Sequence, residues 1–186
     1  MNLEVFNIQD GKVLSTFKDF EAADRFIASF EDTDIGSQLQ IRQSNVPSIS
    51  KPILRIVRGI PGSSKTTFAA KHFPGVFHVE NDMFLIRGND YKWSPYSVRQ
   101  AIAWCIDMVR NALEHKIDVI VCNTFTKRKF IQHYKKLADD YGADFQVYRC
   151  TGNFKNVHGL SDTMVDGFKN AMEDWPGEII VDPHEV

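Results

Sequence analysis

The sequence predicts an α/β protein, with a parallel sheet sandwiched by helices and a small N-terminal α+β (ββα-like) appendage. Three observations carry that expectation. From Ile53 onward, short apolar runs alternate with stretches of helical apolar spacing, the habit of a parallel sheet covered on both faces. The first of these runs, Ile53-Leu-Arg-Ile-Val57, passes through the Gly-rich turn Arg58-Gly-Ile-Pro-Gly-Ser-Ser64 straight into a helical pattern. Ahead of residue 53 the pattern is different, with two period-two runs followed by one helical stretch.

Taken in order, residues 3–8 and 13–17 alternate as two strands, joined through the hairpin dipeptide Asp10-Gly11. Residues 20–30 repeat apolar side chains at helical spacing, and 39–41 supply a third short strand. Val46-Pro-Ser-Ile-Ser-Lys-Pro52, with its two prolines, is a linker. The expected organisation is a small element at 1–46, a linker at 47–52 and a main domain at 53–186. Through Asn45 there are four Lys or Arg against eight Asp or Glu, so the small element is acidic. It is either a folded support that leans on the main domain or a module that docks a partner or positions substrate.

In the main domain the expected strands are 53–57, 76–79, 117–122, 144–150 and 178–181. The expected helices are 65–72, 95–115, 127–141 and 161–173. The second of these helices is expected to bury a stripe of Val98, Ile102, Cys105, Ile106 and Val109, which explains its sulfur and aliphatic residues without a cofactor.

Composition narrows the class. The chain has 186 residues, 43% hydrophobic and 25% charged, with a formal net charge of -2, which suits one globular domain with a small addition. No apolar run approaches the roughly 20 residues a membrane span needs. No basic stretch followed by an apolar core opens the chain. A cytoplasmic protein with no membrane partner is expected. Cys105, Cys122 and Cys150 match neither zinc nor disulfide spacing and are expected as buried reduced thiols. The near-neutral charge excludes a broad grip on duplex phosphates but permits a protein that holds one nucleotide or one strand end.

The turn carries the chemistry. A phosphate-binding P-loop needs Gly, four residues, Gly, then Lys and Ser or Thr, between a strand and a helix. Gly59-Ile-Pro61-Gly62-Ser63-Ser64-Lys65-Thr66-Thr67 meets every requirement except the second glycine, where Ser64 stands. Backbone amides of such a loop point at a polyphosphate, and the following helix adds its positive end. ATP and Mg²⁺ are the expected ligands: Lys65 reaches the β- and γ-phosphates and the Thr66 hydroxyl holds the metal. The alternative is a strand-to-helix turn with a solvated lysine, and Ser64 is the residue that favours it.

The stretch ILRIVRGIPGSSKTTFAA resembles the opening of the polynucleotide kinase-like P-loop kinases, in the branch with the AAA ATPase-kinase domains of the NEDD4-binding-protein class. HVENDMF, DYKWSPYSVRQAIAWC, DVIVCNTFTKRKFIQHYKKLADDYG, NFKNVHGLSDTMVDGF and PGEIIVDP are similar to successive segments of that family, so the resemblance runs from about residue 53 to the C-terminus. It implies a P-loop NTPase-type sheet with a mobile lid. It also implies that Asp82 is the general base for an acceptor hydroxyl, with Glu80 either orienting Mg²⁺ through water or merely solvated. The residue-level alternative for Asp82 is a helix N-cap ahead of Met83.

Asn123 and Thr124 end the third expected strand at its carboxyl edge, where open parallel sheets bind ligands. They are expected to hold the acceptor or the γ-phosphate, with Thr126 the better candidate for a helix cap. Cys122 stands where many P-loop proteins carry a metal-organising Asp. The resemblance places a lid at 153–159. Lys155 stands there in place of the family's usual arginine, and His158 either joins the site or structures a turn. Arg149, at the end of the fourth strand, is a possible second cation for the nucleotide. Between residues 84 and 95, Arg87, Tyr91, Lys92 and Trp93 form either an acceptor wall of cations and rings or a partly ordered loop.

These features imply an ATP-dependent kinase acting on a hydroxyl of a nucleic acid or nucleotide, most simply a polynucleotide 5′-OH. The alternatives are a kinase for a hydroxymethylated base in viral DNA, for a nucleoside or for a small metabolite, a toxin-like kinase of a cell-wall nucleotide sugar, and an NTPase switch that transfers nothing. A base facing an acceptor cavity separates the transfer enzymes from the switch.

Overall fold

The structure, a computed structural model, describes residues 2–7, 12–17, 19–30, 36, 39–44, 51–87, 90–91, 94–152, 154 and 160–182. The chain opens with β1 (Asn2–Asn7), β2 (Val13–Phe17), α1 (Phe20–Ala28) and β3 (Leu39–Ser44). It continues through β4 (Ile53–Arg58), α2 (Lys65–His72), β5 (Phe77–Val79), α3 (Asn81–Leu85), β6 (Ile86–Arg87), β7 (Asp90–Tyr91) and α4 (Pro95–Glu114). It ends with β8 (Val119–Asn123), α5 (Arg128–Asp140), β9 (Asp144–Cys150), α6 (Asp162–Asn170) and β10 (Ile179–Val181). The expected Asp10-Gly11 turn and most of the expected linker lie outside the described residues. None of the described helices is long and apolar enough to cross a membrane.

A five-stranded parallel sheet, flanked by helices, has the order β10-β9-β4-β8-β5. The chain leaves β4 toward β5 at one edge and leaves β9 toward β10 at the other, so the adjacent strands β4 and β9 bound the switch point at which open α/β sheets bind ligands. By contact clustering the chain forms two compact units, Met1–Pro52 with Gly75–Val119, and Ile53–Pro74 with Ile120–Val186.

In the second unit, β4 and β9 pair in parallel, with Leu54, Ile56 and Arg58 opposite Phe145, Val147 and Arg149. Because side chains alternate along a strand, these form one face and Arg55, Val57, Gln146 and Tyr148 the other. α2 lies on the latter face: Phe68 and Phe73 pack on Tyr148 at 5.6 and 5.4 Å, and the Arg55 guanidinium sits 4.9 Å from the Phe73 centroid.

The former face ends in a charge. Arg58 is fully buried, and its guanidinium is held by the Glu178 carboxylate at 2.9 Å and the Glu173 carbonyl at 2.8 Å. Burial pulls the Arg58 pKa down and Glu178 pushes it back up. Arg149 joins from the next strand, with Nη1 at 2.7 Å from Asp174 and 3.3 Å from Glu178. Two cations are thereby matched by two carboxylates, and the segment before β10 is tied to the end of β4.

In the first unit, β1 is the centre of an antiparallel sheet of order β2-β1-β3, with Leu3 opposite Phe17 and Val5 opposite Ile41. Asp19 caps α1 by accepting the Ala22 N–H at 2.8 Å, and the helix buries Ala22, Ala23 and Phe26. α4 starts where its sequence says it should, with a Ser94/Ser97 capping box and Pro95 in the first turn. The expected stripe is corrected. α4 buries Ala101, Cys105, Met108, Val109, Ala112 and Leu113, whereas Val98 and Ile106 are half-buried and Ile102 is 39% exposed. The helix is apolar on more than one face, so spacing alone did not select the inward one; the small Ala101 and Ala112 mark the side of close approach.

His78, in β5, has its Nε2 buried without a hydrogen-bond partner among the described residues. Glu80 lies 3.9 Å away, yet burial, aided by the charge of Lys12, drives the ring's pKa down to about 4, so near neutral pH the ring is uncharged and no ion pair forms.

Two outcomes follow. Glu178→Gln strands the buried Arg58 charge and costs about 3 kcal/mol in urea unfolding; a loss under about 1 kcal/mol would mean that the Glu173 carbonyl suffices. His78 binds a proton more readily unfolded than folded, so its contribution is complete above its ordinary pKa near 6.5 and is lost as pH falls toward about 4. His78→Gln should flatten the drop in urea midpoint between pH 7 and pH 5, and an unchanged drop contradicts the assignment.

Candidate functional site

The phosphate-loop residues lie between β4 and α2, as their spacing requires. A Cβ on Gly59 would overlap the Ser63 Oγ and lie 2.6 Å from the Cys150 carbonyl oxygen, so only glycine lets the chain turn this close to β9. Ile60 to Ser63 form a tight turn closed by the Ser63 N–H on the Ile60 carbonyl at 3.2 Å. Pro61 and Ser63 are buried, Gly62, Ser64 and Lys65 half-buried, and Thr66 and Thr67 exposed.

Ser64 takes the position at which the loop pattern asks for glycine, and it adopts the left-handed conformation (φ 62, ψ 31) that makes glycine the usual choice there. An ordinary N-cap serine is extended and bonds the amides of the first turn. Ser64 makes no such bond. The first amides of α2, which have no carbonyl one turn back, are therefore not taken up by a serine cap and face the loop together with the positive end of the helix. Lys65 Nζ donates to the Ile60 carbonyl at 2.9 Å, within reach of the same space.

The end of β9 closes on this loop. The Phe154 N–H donates to the Gly62 carbonyl at 2.9 Å, and a Cβ on Gly152 would come within 3.2 Å of the Ser63 carbonyl oxygen. The Phe154 ring is left 51% exposed. The expected lid residues Lys155 and His158 lie outside the described residues. Burial lifts the Cys150 thiol to about 11, against a smaller opposing pull from Lys65, so it stays protonated near neutral pH.

The end of β8 lies under the same helix, with the Cys122 sulfur 4.0 Å from the Lys65 carbonyl oxygen. Asn123 and Thr124 follow, half-buried, and Phe125 is held at φ 42 with its ring 5.3 Å from Tyr134. A phenylalanine at positive φ is strained, and such strain persists where the surroundings fix it, often at functional turns. Thr126 is not the helix cap expected of it. Lys127 holds that position, and the capping bond comes from far along the chain, with the Glu173 carboxylate accepting the Arg128 N–H at 2.8 Å. That bond, first, and Lys127, second, lower the Glu173 pKa.

Arg149, expected at the nucleotide, has its guanidinium 2.7 Å from Asp174 and 3.3 Å from Glu178. In the other unit, Asp82 is half-buried in the first turn of α3, and the N-cap is Glu80 rather than Asp82. α3 is held by α4, through the Cys105 thiol on Asn81 Oδ1 at 3.2 Å and Phe84 against Trp104 at 5.9 Å. Arg87 pairs with Asp90 in the β6–β7 ribbon, and Lys92 and Trp93 lie outside the described residues.

Among the described residues no group of three or more His, Cys, Asp or Glu could hold a metal. Mg²⁺ carried by a nucleotide asks for only one or two protein oxygens and keeps phosphates and waters for the rest. The exposed Thr66 hydroxyl suits that duty.

Sequence reasoning missed the Arg58–Glu178 pair, the strained Phe125 and the exposed Phe154. The first had a signal, an arginine closing a strand on the same face as Leu54 and Ile56, which demands a partner when buried.

A family model described as an AAA domain matches residues 54–152. Over 148 residues the chain is 31% identical to an uncharacterized protein of Pasteurella multocida (strain Pm70), covering 70% of this chain and 83% of that one. A candidate kinase of Chloroflexus aurantiacus j-10-fl superposes with a TM-score of 0.56 at 16% identity, over 73% of this chain and 89% of that one. A sugar kinase of Janibacter sp. HTCC2649 superposes with a TM-score of 0.52 at 15% identity, over 72% and 86%. The fold is that of the P-loop kinases.

Ser64→Gly relieves the left-handed strain at some cost in chain entropy and should raise stability by up to about 1 kcal/mol in a denaturant titration. A lower stability would show that the Ser64 side chain makes a contact worth more than the strain.

Proposed function

Because the chain belongs to the AAA domain family, we propose that it is an ATP-dependent kinase transferring the γ-phosphate to a hydroxyl of a nucleic acid or nucleotide, most simply a polynucleotide 5′-OH. The observation that carries this is the left-handed entry into α2 at Ser64, with no serine side-chain cap, which puts a helix N-terminus beside a tight Gly-rich turn and the Lys65 ammonium, a combination suited to a polyphosphate.

The triphosphate takes the place of the Ile60 carbonyl as partner of Lys65, whose ammonium then neutralises the β- and γ-phosphates. Gly59, Pro61, Gly62, Ser63, Ser64 and Thr67 shape the cradle, and Thr66 offers its hydroxyl to Mg²⁺. The metal supplies charge neutralisation on the phosphate oxygens. Asp82 accepts the proton of the acceptor hydroxyl, and the acceptor's oxygen forms the new bond to the γ-phosphorus as the bond to the ADP oxygen breaks. Asn123 and Thr124 follow the carboxyl end of β8, the edge where open parallel sheets hold ligands. Asn123 and Thr124 orient the acceptor or the γ-phosphate, with Arg87 on the acceptor. Lys155 and His158 meet the migrating phosphoryl group, Lys155 as a point charge lacking the arginine fork. Arg149, at the end of β9 and steadied by Asp174 and Glu178, is a second cation for the nucleotide.

The test is transfer from γ-labelled ATP with Mg²⁺ to 5′-hydroxyl DNA, 5′-hydroxyl RNA, hydroxymethylated-base DNA, nucleosides and simple sugars. A labelled strand end is the expected product. Label only on a small alcohol moves the acceptor class, and label only in free phosphate makes the protein an NTPase switch. Asp82→Asn should keep ATP binding and lower transfer by about 10² to 10⁴. Lys65→Ala should weaken ATP binding and abolish transfer; unaltered transfer in either variant removes that residue from the mechanism.

A further inference from the structure

α3 is only five residues long. A helix that short has no stability of its own, so the direction in which it presents Asp82 must be imposed by what it packs against. Two side chains flanking Asp82 are gripped by consecutive residues of α4: Asn81 by the Cys105 thiol and Phe84 by the Trp104 ring.

Trp104 is in turn set from behind. Its indole N–H donates to the Ser29 carbonyl at 3.4 Å, and its ring meets Phe30 edge-on at 6.1 Å. Ser29 is the C-cap of α1 and Phe30 follows it directly. From Phe30 the contacts continue without a break to Phe26 at 5.3 Å, from Phe26 to Phe77 of β5 at 4.9 Å, and from Phe26 to Phe17 of β2 at 5.0 Å. Phe17, Phe26, Phe30 and Phe77 are all buried, and edge-to-face rings packed at core density leave little freedom of tilt.

We propose that the N-terminal element is a brace for the base-bearing helix: α1, through Ser29 and Phe30, sets the Trp104 ring, and Trp104 with Cys105 sets the angle at which α3 presents Asp82. The brace rests on the reading of Asp82 as general base for its catalytic consequence, and on geometry alone for its mechanical one. Phe30 and Trp104 are positioning residues, and neither is expected to touch substrate. A purely apolar packing role would accept any large side chain at position 104; the indole hydrogen bond to Ser29 makes the orientation specific.

Hydrogen exchange on the full chain separates these. The Met83 N–H bonds the Glu80 carbonyl at 3.1 Å and the Ile86 N–H the Asp82 carbonyl, so both report on α3. The Phe68 and Phe73 N–H groups, bonded to Ser64 and Ala69, report on α2. Phe30→Leu, with Trp104→Phe as the second variant should the first fold poorly, should speed exchange at Met83 and Ile86 about tenfold and leave Phe68 and Phe73 unchanged. With ATP and a 5′-hydroxyl oligodeoxynucleotide, kcat should fall about tenfold at a KM for ATP within about twofold of the parent. The same change added to Asp82→Asn should cost nothing further. Unchanged exchange at α3, or an equal rise at all four amides, overturns the brace. If α3 loosens selectively while Asp82→Asn leaves transfer intact, the brace stands and the assignment of Asp82 falls.

Discussion

The close approach of Gly59 to the Cys150 carbonyl oxygen governs the phosphate loop. With no Cβ at 59, the chain leaving β4 turns at once against the end of β9, burying Ser63 and closing the Ile60–Ser63 turn. That turn delivers the chain to Ser64 in the left-handed conformation, from which α2 begins with its positive end toward the loop. The same proximity lets Phe154 bond the Gly62 carbonyl, so the segment that leaves β9 is latched to the cradle it is expected to cover. Any side chain at residue 59 breaks every later step of this sequence.

Beneath the loop the charges are balanced rather than accumulated. Arg58 and Arg149 face Glu178 and Asp174, so the cluster adds stiffness at the root of the turn without adding a net field. In the proposed reading, attraction for a polyphosphate then falls to main-chain dipoles and to Lys65, which cost little reorganisation when the ligand arrives. A buried pair is seldom a large net gain in stability, but it strongly penalises loss of either partner. Here it fixes the C-terminal segment, through the Glu173 carbonyl and carboxylate, to both β4 and the start of α5.

Much of this was legible in the sequence, and the parts that were not have definite reasons. α2 spans Lys65–His72 as its spacing and the preceding turn required, and β2 and β9 match their alternation. Short-range signals therefore sufficed wherever one strong rule acted alone. α4 starts at Pro95 as expected, yet its buried face was misjudged because Ile102 and Ala101 compete on adjacent faces and the neighbours decide. The Thr126 cap failed because a glutamate 47 positions along the chain from Thr126 supplies the bond instead, a contact no local pattern contains. The twist at Phe125 was invisible, since phenylalanine is a poor marker of positive φ. The phosphate-loop residues and Asn123 were expected from motif and strand edge, and the role proposed for Asp82 came from resemblance. The aromatic run from Phe17 to Phe84 is long-range packing, which composition hints at and only a fold assembles.

The claim on which all of this depends is that main-chain amides between Gly59 and Thr66 hold a polyphosphate. Competition against labelled ATP tests it directly, using inorganic tripolyphosphate and adenosine as separate halves of the ligand. Displacement by tripolyphosphate in the presence of Mg²⁺, with little displacement by adenosine, is the predicted result. Displacement by adenosine and none by tripolyphosphate would contradict the account.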